Sequence, residues 1–171
     1  IFACSGILFN HESPLRGLEF VTRKITEGVA RYNQGDNNCI ELGNLNASRD
    51  WGYAPEFVDG MYRMMQHETP DNFVLATNRS VSVRRFAELA FSVIGIDVIW
   101  EGEGVQEKGI DKRSGNEIVS ISEKYFRLSE VDALIGNPIK AEKELGWKNK
   151  TDVEALCEIM VKYDIEFLRK K

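Results

Sequence analysis

The chain has 171 residues, 43% hydrophobic and 29% charged, with a formal net charge of −5. That balance suits a globular protein with a real core; it excludes a general nucleic-acid surface, which would be basic, and no run of about 18 apolar residues is present to span a membrane. Three well-separated cysteines (Cys4, Cys39, Cys157), two histidines and no Cys-x-x-Cys speak against a disulfide framework or a zinc site, and for a cytoplasmic home with buried thiols.

The first elements read as follows. "IFACSGILF" is continuously apolar, which predicts a strand buried on both faces of a parallel sheet. It lacks a starting Met and a signal-peptide n-region, so a preceding N-terminal part is expected to be missing. Val21, Ile25, Val29 and Tyr32 recur every three or four residues and predict a helix from Leu18 to about Tyr32, stopped by Gly35. "CIELGN" predicts a strand. Pro55 predicts the first residue of a helix whose core face is Phe57, Val58, Met61, Met64 and Met65.

"NFVLATN" is a strand, and Ser82 caps a helix running to Gly95. "DVIW" and "EIVSIS" are strands, separated by "EGEGVQEKGIDKRSGN", which reads as an exposed loop. Asn137-Pro138 starts a helix that Gly146 stops. Thr151 and Glu154 form a capping box for a last helix with Leu156, Ile159, Met160, Tyr163 and Phe167 on one face. Strands alternating with helices define an α/β protein, with the end of a doubly wound sheet followed by a small α/β domain.

The absences are informative. No Gly-x-Gly-x-x-Gly, Walker lysine loop or Gly-x-Ser-x-Gly elbow is present, and none of the five tyrosines has a lysine four positions on. No residue of the chain is therefore assigned as catalytic.

Three stretches carry binding chemistry. "FNHESPLRG" follows a strand at its carboxyl end, where open α/β sheets bind ligands. There Asn10 offers an amide, His11 a ring N–H, and Arg16 and Lys24 flank a helix start suited to phosphate. Arg23 points about 100° away from Lys24 around the helix. A solvated turn is the competing reading. In "GNLNASRDWGYAPEF", Arg49 offers a fork for phosphate, and Asp50 either pairs with it or caps a turn; Trp51 is packing. In "YFRLSEVDALIGNPIKAEKELGW", Arg127 and Glu130 suit a phosphate and ribose hydroxyls, or equally a local ion pair. "LGW" there is a helix stop with a buried aromatic. His67 reads as a surface cation at a helix end.

Taken together, "GILFNHESPLRGLEFVTRKI", "LGNLNASRDWGYAPEFVDGMYRMMQ" and the third stretch resemble the C-terminal half of the GDP-mannose 4,6-dehydratases. These belong to the extended short-chain dehydrogenase/reductase group. "NHESP" with "RDWG" is specific to that family, whereas "NP-x-KA-x-x-x-LGW" is shared with epimerases. The resemblance implies a Rossmann-like fold and assigns residues 1–171 to the substrate-binding part, with the NADP-binding Rossmann part upstream. It implies that His11 and Arg16 touch NADP, and that Asn10, Lys24, Arg49, Arg127 and Glu130 line the GDP-mannose pocket. Leu15 replaces a second basic residue carried by many relatives. In the family, NADP takes hydride from sugar C4, water leaves across C5 and C6, and hydride returns to C6. The groups that do this are expected upstream of residue 1, so this stretch alone is expected to be inactive.

Arg16, Lys24, Arg49 and Arg127 are thus expected to converge on one diphosphate. The alternatives are another GDP- or UDP-sugar epimerase or reductase of the group, or a non-catalytic α/β interaction module. Full-length family members are expected to form dimers or tetramers, and the exposed edge of the first strand is expected to favour self-association.

Overall fold

The computed structural model describes residues 1–126 and 133–170. They divide into two compact units. The first comprises Ile1–Ser13, Ser48–Val81 and Ala133–Leu156; the second comprises Pro14–Ala47, Ser82–Asp132 and Cys157–Lys171.

In the first unit, β1 (Ser5–Leu8) runs parallel to β6 (Asn72–Leu75), with Ser5 opposite Asn72 and Leu8 opposite Leu75. Beyond Phe9, β2 (Asn10–Glu12) runs parallel to β5 (Trp51–Tyr53). The first strand is not buried on both faces: Ser5, Gly6 and Ile7 are exposed, because among the described residues β6 alone pairs with it. Helix α2 (Ala54–Met65) carries Pro55 in its first turn, where a missing N–H costs nothing.

Only part of the expected α2 core face is buried. Phe57, Gly60 and Met64 face inward, while Val58, Met61 and Met65 are exposed. The spacing is helical as expected, but the stripe is narrower and includes a glycine. A Cβ on Gly60 would lie 2.6 Å from Leu75, so the close approach of α2 to β6 needs the missing side chain.

Helix α4 (Ile139–Leu145) starts one residue later than expected, with Pro138 at its cap and the Asn137 side chain accepting from the Ile139 N–H at 3.0 Å. It ends at Gly146, whose φ of 61° is left-handed, and the Trp147 N–H returns to the Ala141 carbonyl. Trp147 joins Phe57, Met64, Phe73, Leu75 and Ala141 in the core, as its sequence context implies.

In the second unit, α1 (Val21–Asn33) begins three residues later than expected. A four-stranded sheet has the order β3 (Ile40–Leu42), β10 (Glu117–Ile121), β9 (Lys108–Asp111), β8 (Val98–Glu101). The β3–β10 pair is parallel and the other two are antiparallel.

Strand β9 corrects the expectation of a loop throughout residues 101–116. Its inward positions are Gly109 and Asp111, so the alternation carries no apolar signal. A Cβ on Gly109 would lie 3.0 Å from both Trp100 and Val119, whose side chains cover that position instead. A 3-10 turn, Gly104–Gln106, precedes it.

Ser82 caps α3 (Val83–Ser92) as expected, accepting from the Arg85 N–H at 3.1 Å. Helix α5 (Val153–Arg169) starts differently. Asp152, not Thr151, accepts from the Ala155 N–H at 2.8 Å, and the Thr151 hydroxyl donates to Glu56 at 2.7 Å. Glu154 is held by a two-bond Arg79 fork, each bond 2.7 Å. The buried stripe of α5 is Val153, Leu156, Cys157, Met160, Val161 and Asp164; Ile159, Tyr163 and Phe167 lie outside it. Cys157 is buried as expected, whereas Cys4 and Cys39 are half-buried, and all three are free thiols.

Candidate functional site

The first unit holds Asn10, His11 and Arg49. Parallel pairing sets Asn10 opposite Trp51 and His11 opposite Gly52, which brings the "NHE" and "RDWG" segments side by side. His11 stacks on Phe57, with ring centroids 5.2 Å apart and planes 22° from parallel. Its Nδ1 lies 2.8 Å from the Phe9 carbonyl. A carbonyl oxygen only accepts, so Nδ1 carries the proton, and in the neutral ring Nε2 is an acceptor. In that tautomer the ring N–H is spent on the backbone.

Gly52 makes the stack possible. A Cβ there would lie 2.3 Å from Phe57 Cε2 and 3.0 Å from the Thr77 methyl.

Asp50 is the organising residue of this loop. It is fully buried, and its carboxylate accepts from the Thr77 N–H (2.8 Å), the Thr77 hydroxyl (2.7 Å), the Asn78 N–H (3.1 Å) and the Gly136 N–H (3.1 Å). Of the two roles open to it in the sequence, this is turn capping. Asn78 sits at φ 60°, a left-handed conformation that the Asp50 contact helps to hold. Arg49 donates from Nη1 to the Ser48 carbonyl at 2.9 Å and is half-buried. Trp51 is buried packing, as expected. His67 Nδ1 donates to the Thr69 carbonyl, 2.8 Å away, and the ring stands edge-on to Phe73; it is a half-buried packing residue.

The second unit holds Arg16 and Lys24. The Arg16 guanidinium lies 3.6 Å from the centroid of the Phe20 ring, and Leu15 beside it is 86% exposed, so the missing second basic residue would stand in solvent. Because α1 begins at Val21, Lys24 is its fourth residue, and its Nζ sits 3.5 Å from the centroid of the Tyr125 ring. Gly43 permits that turn of chain. A Cβ on it would lie 2.2 Å from the Tyr125 carbonyl.

Two residues matter that sequence reasoning set aside or passed over. Arg23 is buried and pairs with the buried Asp164 of α5. The signal was an acidic residue on the apolar stripe of the last helix, a position that calls for a buried partner. Arg127 and Glu130 lie outside the described residues. Among the described residues, no group of three His, Cys, Asp or Glu is placed to hold a metal, and no helix is long and apolar enough to cross a membrane.

The family model for GDP-mannose 4,6 dehydratase matches residues 1–160. The chain belongs to the GDP-mannose 4,6-dehydratase family.

Among its relatives, GDP-mannose 4,6 dehydratase 2 of Caenorhabditis elegans is 53% identical over 98% of this chain and 44% of its own length. The GDP-mannose 4,6-dehydratase of Sinorhizobium fredii is 49% identical over 98% of this chain and 48% of its own length. The Homo sapiens GDP-mannose 4,6 dehydratase is 46% identical over 99% and 45%. The chain thus spans about half the length of the curated relatives it matches.

The mixed α/β fold of this family member recurs in solved structures. RMD from Pseudomonas aeruginosa complexed with NADPH superposes with a TM-score of 0.76 at 17% identity, covering 95% of this chain and 48% of that one. dTDP-glucose 4,6-dehydratase from Bacillus anthracis in complex with NAD gives 0.69 at 12% identity, covering 92% and 43%.

Proposed function

We propose that this chain is the GDP-sugar-binding part of a GDP-mannose 4,6-dehydratase, a lyase that forms GDP-4-keto-6-deoxymannose. The observation that carries the reading is the identity of 43–53% to curated relatives of that name, extending along nearly the whole chain. In this reading Arg49 and Arg127 bind the diphosphate, Glu130 accepts from ribose hydroxyls, and Asn10 and Lys24 each contact the GDP-sugar. Arg16 and His11 each contact the cofactor.

The residue types fit an anionic dinucleotide. The Arg16 guanidinium is already braced on an aromatic face. His11, with Nε2 as acceptor, suits a cofactor hydroxyl or amide rather than a phosphate oxygen. When bound, NADP supplies the site with a reversible hydride acceptor. The 171 residues carry no Tyr-x-x-x-Lys pair, so turnover is assigned to residues outside them, and the isolated chain is expected to be inactive. The complete polypeptide is expected to be a cytoplasmic dimer or tetramer.

Calorimetric titration of the complete polypeptide with GDP and with UDP tests the assignment. GDP is expected to bind more tightly, and Arg49→Ala to weaken it roughly tenfold or more, as for loss of a charge-assisted hydrogen bond. Preference for UDP, or GDP affinity unchanged in the variant, would overturn it.

A further inference from the structure

Arg23 makes two contacts with the two ends of its guanidinium. Nη1 pairs with Asp164 Oδ1, and Nε donates to the Arg16 carbonyl at 3.0 Å. The carboxylate is itself oriented, since Asp164 Oδ2 accepts from the Thr26 hydroxyl at 2.8 Å. Side-chain exposure is 9% for Arg23 and 2% for Asp164, so neither group meets bulk water.

A guanidinium is planar. Anchoring Nη1 on an oriented carboxylate narrows the orientations open to that plane, and with it the direction of the Nε–H. That direction ends on the backbone of Arg16. The Arg16 side chain is then steadied by Phe20, whose N–H returns to the Gly17 carbonyl and whose carbonyl receives the Lys24 N–H, at 3.2 and 2.9 Å. Asp164 lies beyond residues 1–160, the span of the family match.

We propose that Asp164 and Arg23 are positioning residues for the cofactor: α5 sets the place of Arg16 through the Arg23 fork. This rests on the reading of Arg16 as a cofactor-binding residue. Neither Asp164 nor Arg23 needs to touch the cofactor.

A lysine at position 23 separates the two contacts. Its three N–H donors sit on one nitrogen at the end of the stem, so it can keep the charge pair with Asp164 but places no donor where Nε serves the Arg16 carbonyl. The test is NADPH binding by fluorescence titration in the complete polypeptide, with Arg16→Ala, Arg23→Lys, Asp164→Asn and the Arg16→Ala/Arg23→Lys double variant, thermal unfolding being recorded for each.

Arg23→Lys is expected to retain cooperative unfolding and to weaken NADPH about tenfold, the size of one hydrogen bond that serves a charged group. In the Arg16→Ala background the same substitution is expected to add nothing, because its effect runs through Arg16. Asp164→Asn is expected to weaken NADPH as well. If Arg16→Ala binds NADPH normally, the cofactor reading of Arg16 fails and the inference goes with it. If Arg16→Ala is weakened while Arg23→Lys binds normally, or the two effects simply add, the cofactor reading stands and the positioning role is overturned.

Discussion

Gly52 and Phe57 are mutually dependent. The ring that supports His11 occupies the space a side chain at position 52 would take, at 2.3 Å from an ideal Cβ. Backbone conformation is not the constraint, since Gly52 is not among the positive-φ glycines. Gly52→Ala is therefore expected to displace Phe57 and to destabilise the protein by about 1–3 kcal/mol, as overpacking of a core does. Urea unfolding measures this. Phe57→Leu in the alanine background is expected to restore part of the loss, which a backbone effect would not allow.

Asp50 leads to a sharper expectation. Four donors from Thr77, Asn78 and Gly136 end on its carboxylate. Asp50→Ala leaves three backbone N–H groups without that acceptor, each worth about 1–3 kcal/mol when buried. A loss of about 3–5 kcal/mol is expected in chemical denaturation, at the diagnostic end for a point substitution. Asp50→Asn, which keeps one acceptor oxygen, is expected to lose less. Equal stability of the alanine variant and the parent would show that these bonds are remade elsewhere.

Elements whose buried positions are apolar were legible in the sequence. Ile25 and Val29 of α1, the Ser82 cap, the Gly146 stop and Trp147 lie as their residue types dictate, whereas Val21 and Tyr32 are only half-buried beside a buried Arg23. Legibility failed where a buried position was taken by glycine or a charge. Gly109 and Asp111 hid β9, Gly60 narrowed the face of α2, and Asp164 shifted the stripe of α5. The capping box at Thr151 was misread because a distant residue, Glu56, competes for the threonine hydroxyl. Spacing within one helix carries no record of that competitor. In the candidate site, local polarity marked Asn10, His11, Arg16 and Arg49. The Nδ1 bond of His11 to Phe9 is a local side-chain choice that composition does not record, and the turn-capping role of Asp50 depends on partners 27, 28 and 86 residues away.

Cys39 offers a chemical probe of the second unit. Burial, then the Glu117 carboxylate, raise its thiol above the ordinary value, and the nearby Lys108 only partly opposes them. Its Sγ donates to the Glu117 carbonyl at 3.1 Å. Because the thiolate is the nucleophile, alkylation of native Cys39 by iodoacetamide near pH 8 is expected to be slower than that of a free cysteine. Glu117→Gln removes a charge that disfavours the thiolate and is expected to speed labelling, read residue by residue by mass spectrometry. No change would leave burial as the whole cause.

Asp111 makes the pH dependence of stability testable. Burial works against its charged form, yet bonds from the Ser114 hydroxyl, the Arg113 N–H and the Tyr32 hydroxyl outweigh it and hold the carboxyl below its ordinary value. The Tyr32 and Ser114 bonds are 3.0 and 2.8 Å. A carboxyl depressed in the folded state binds fewer protons there than in the unfolded chain. Its stabilising contribution is therefore complete above the unfolded value, about 3.9, and is lost as pH falls through the lower folded one. Tyr32→Phe removes one of the four supporting bonds, the fourth being from the Ser114 N–H, and shifts the folded value upward, narrowing that window. The variant is expected to lose less stability than the parent between about pH 5 and pH 2, having started lower. Urea midpoints at successive pH values measure this, and parallel curves for parent and variant would show that Tyr32 does not support the charged carboxylate.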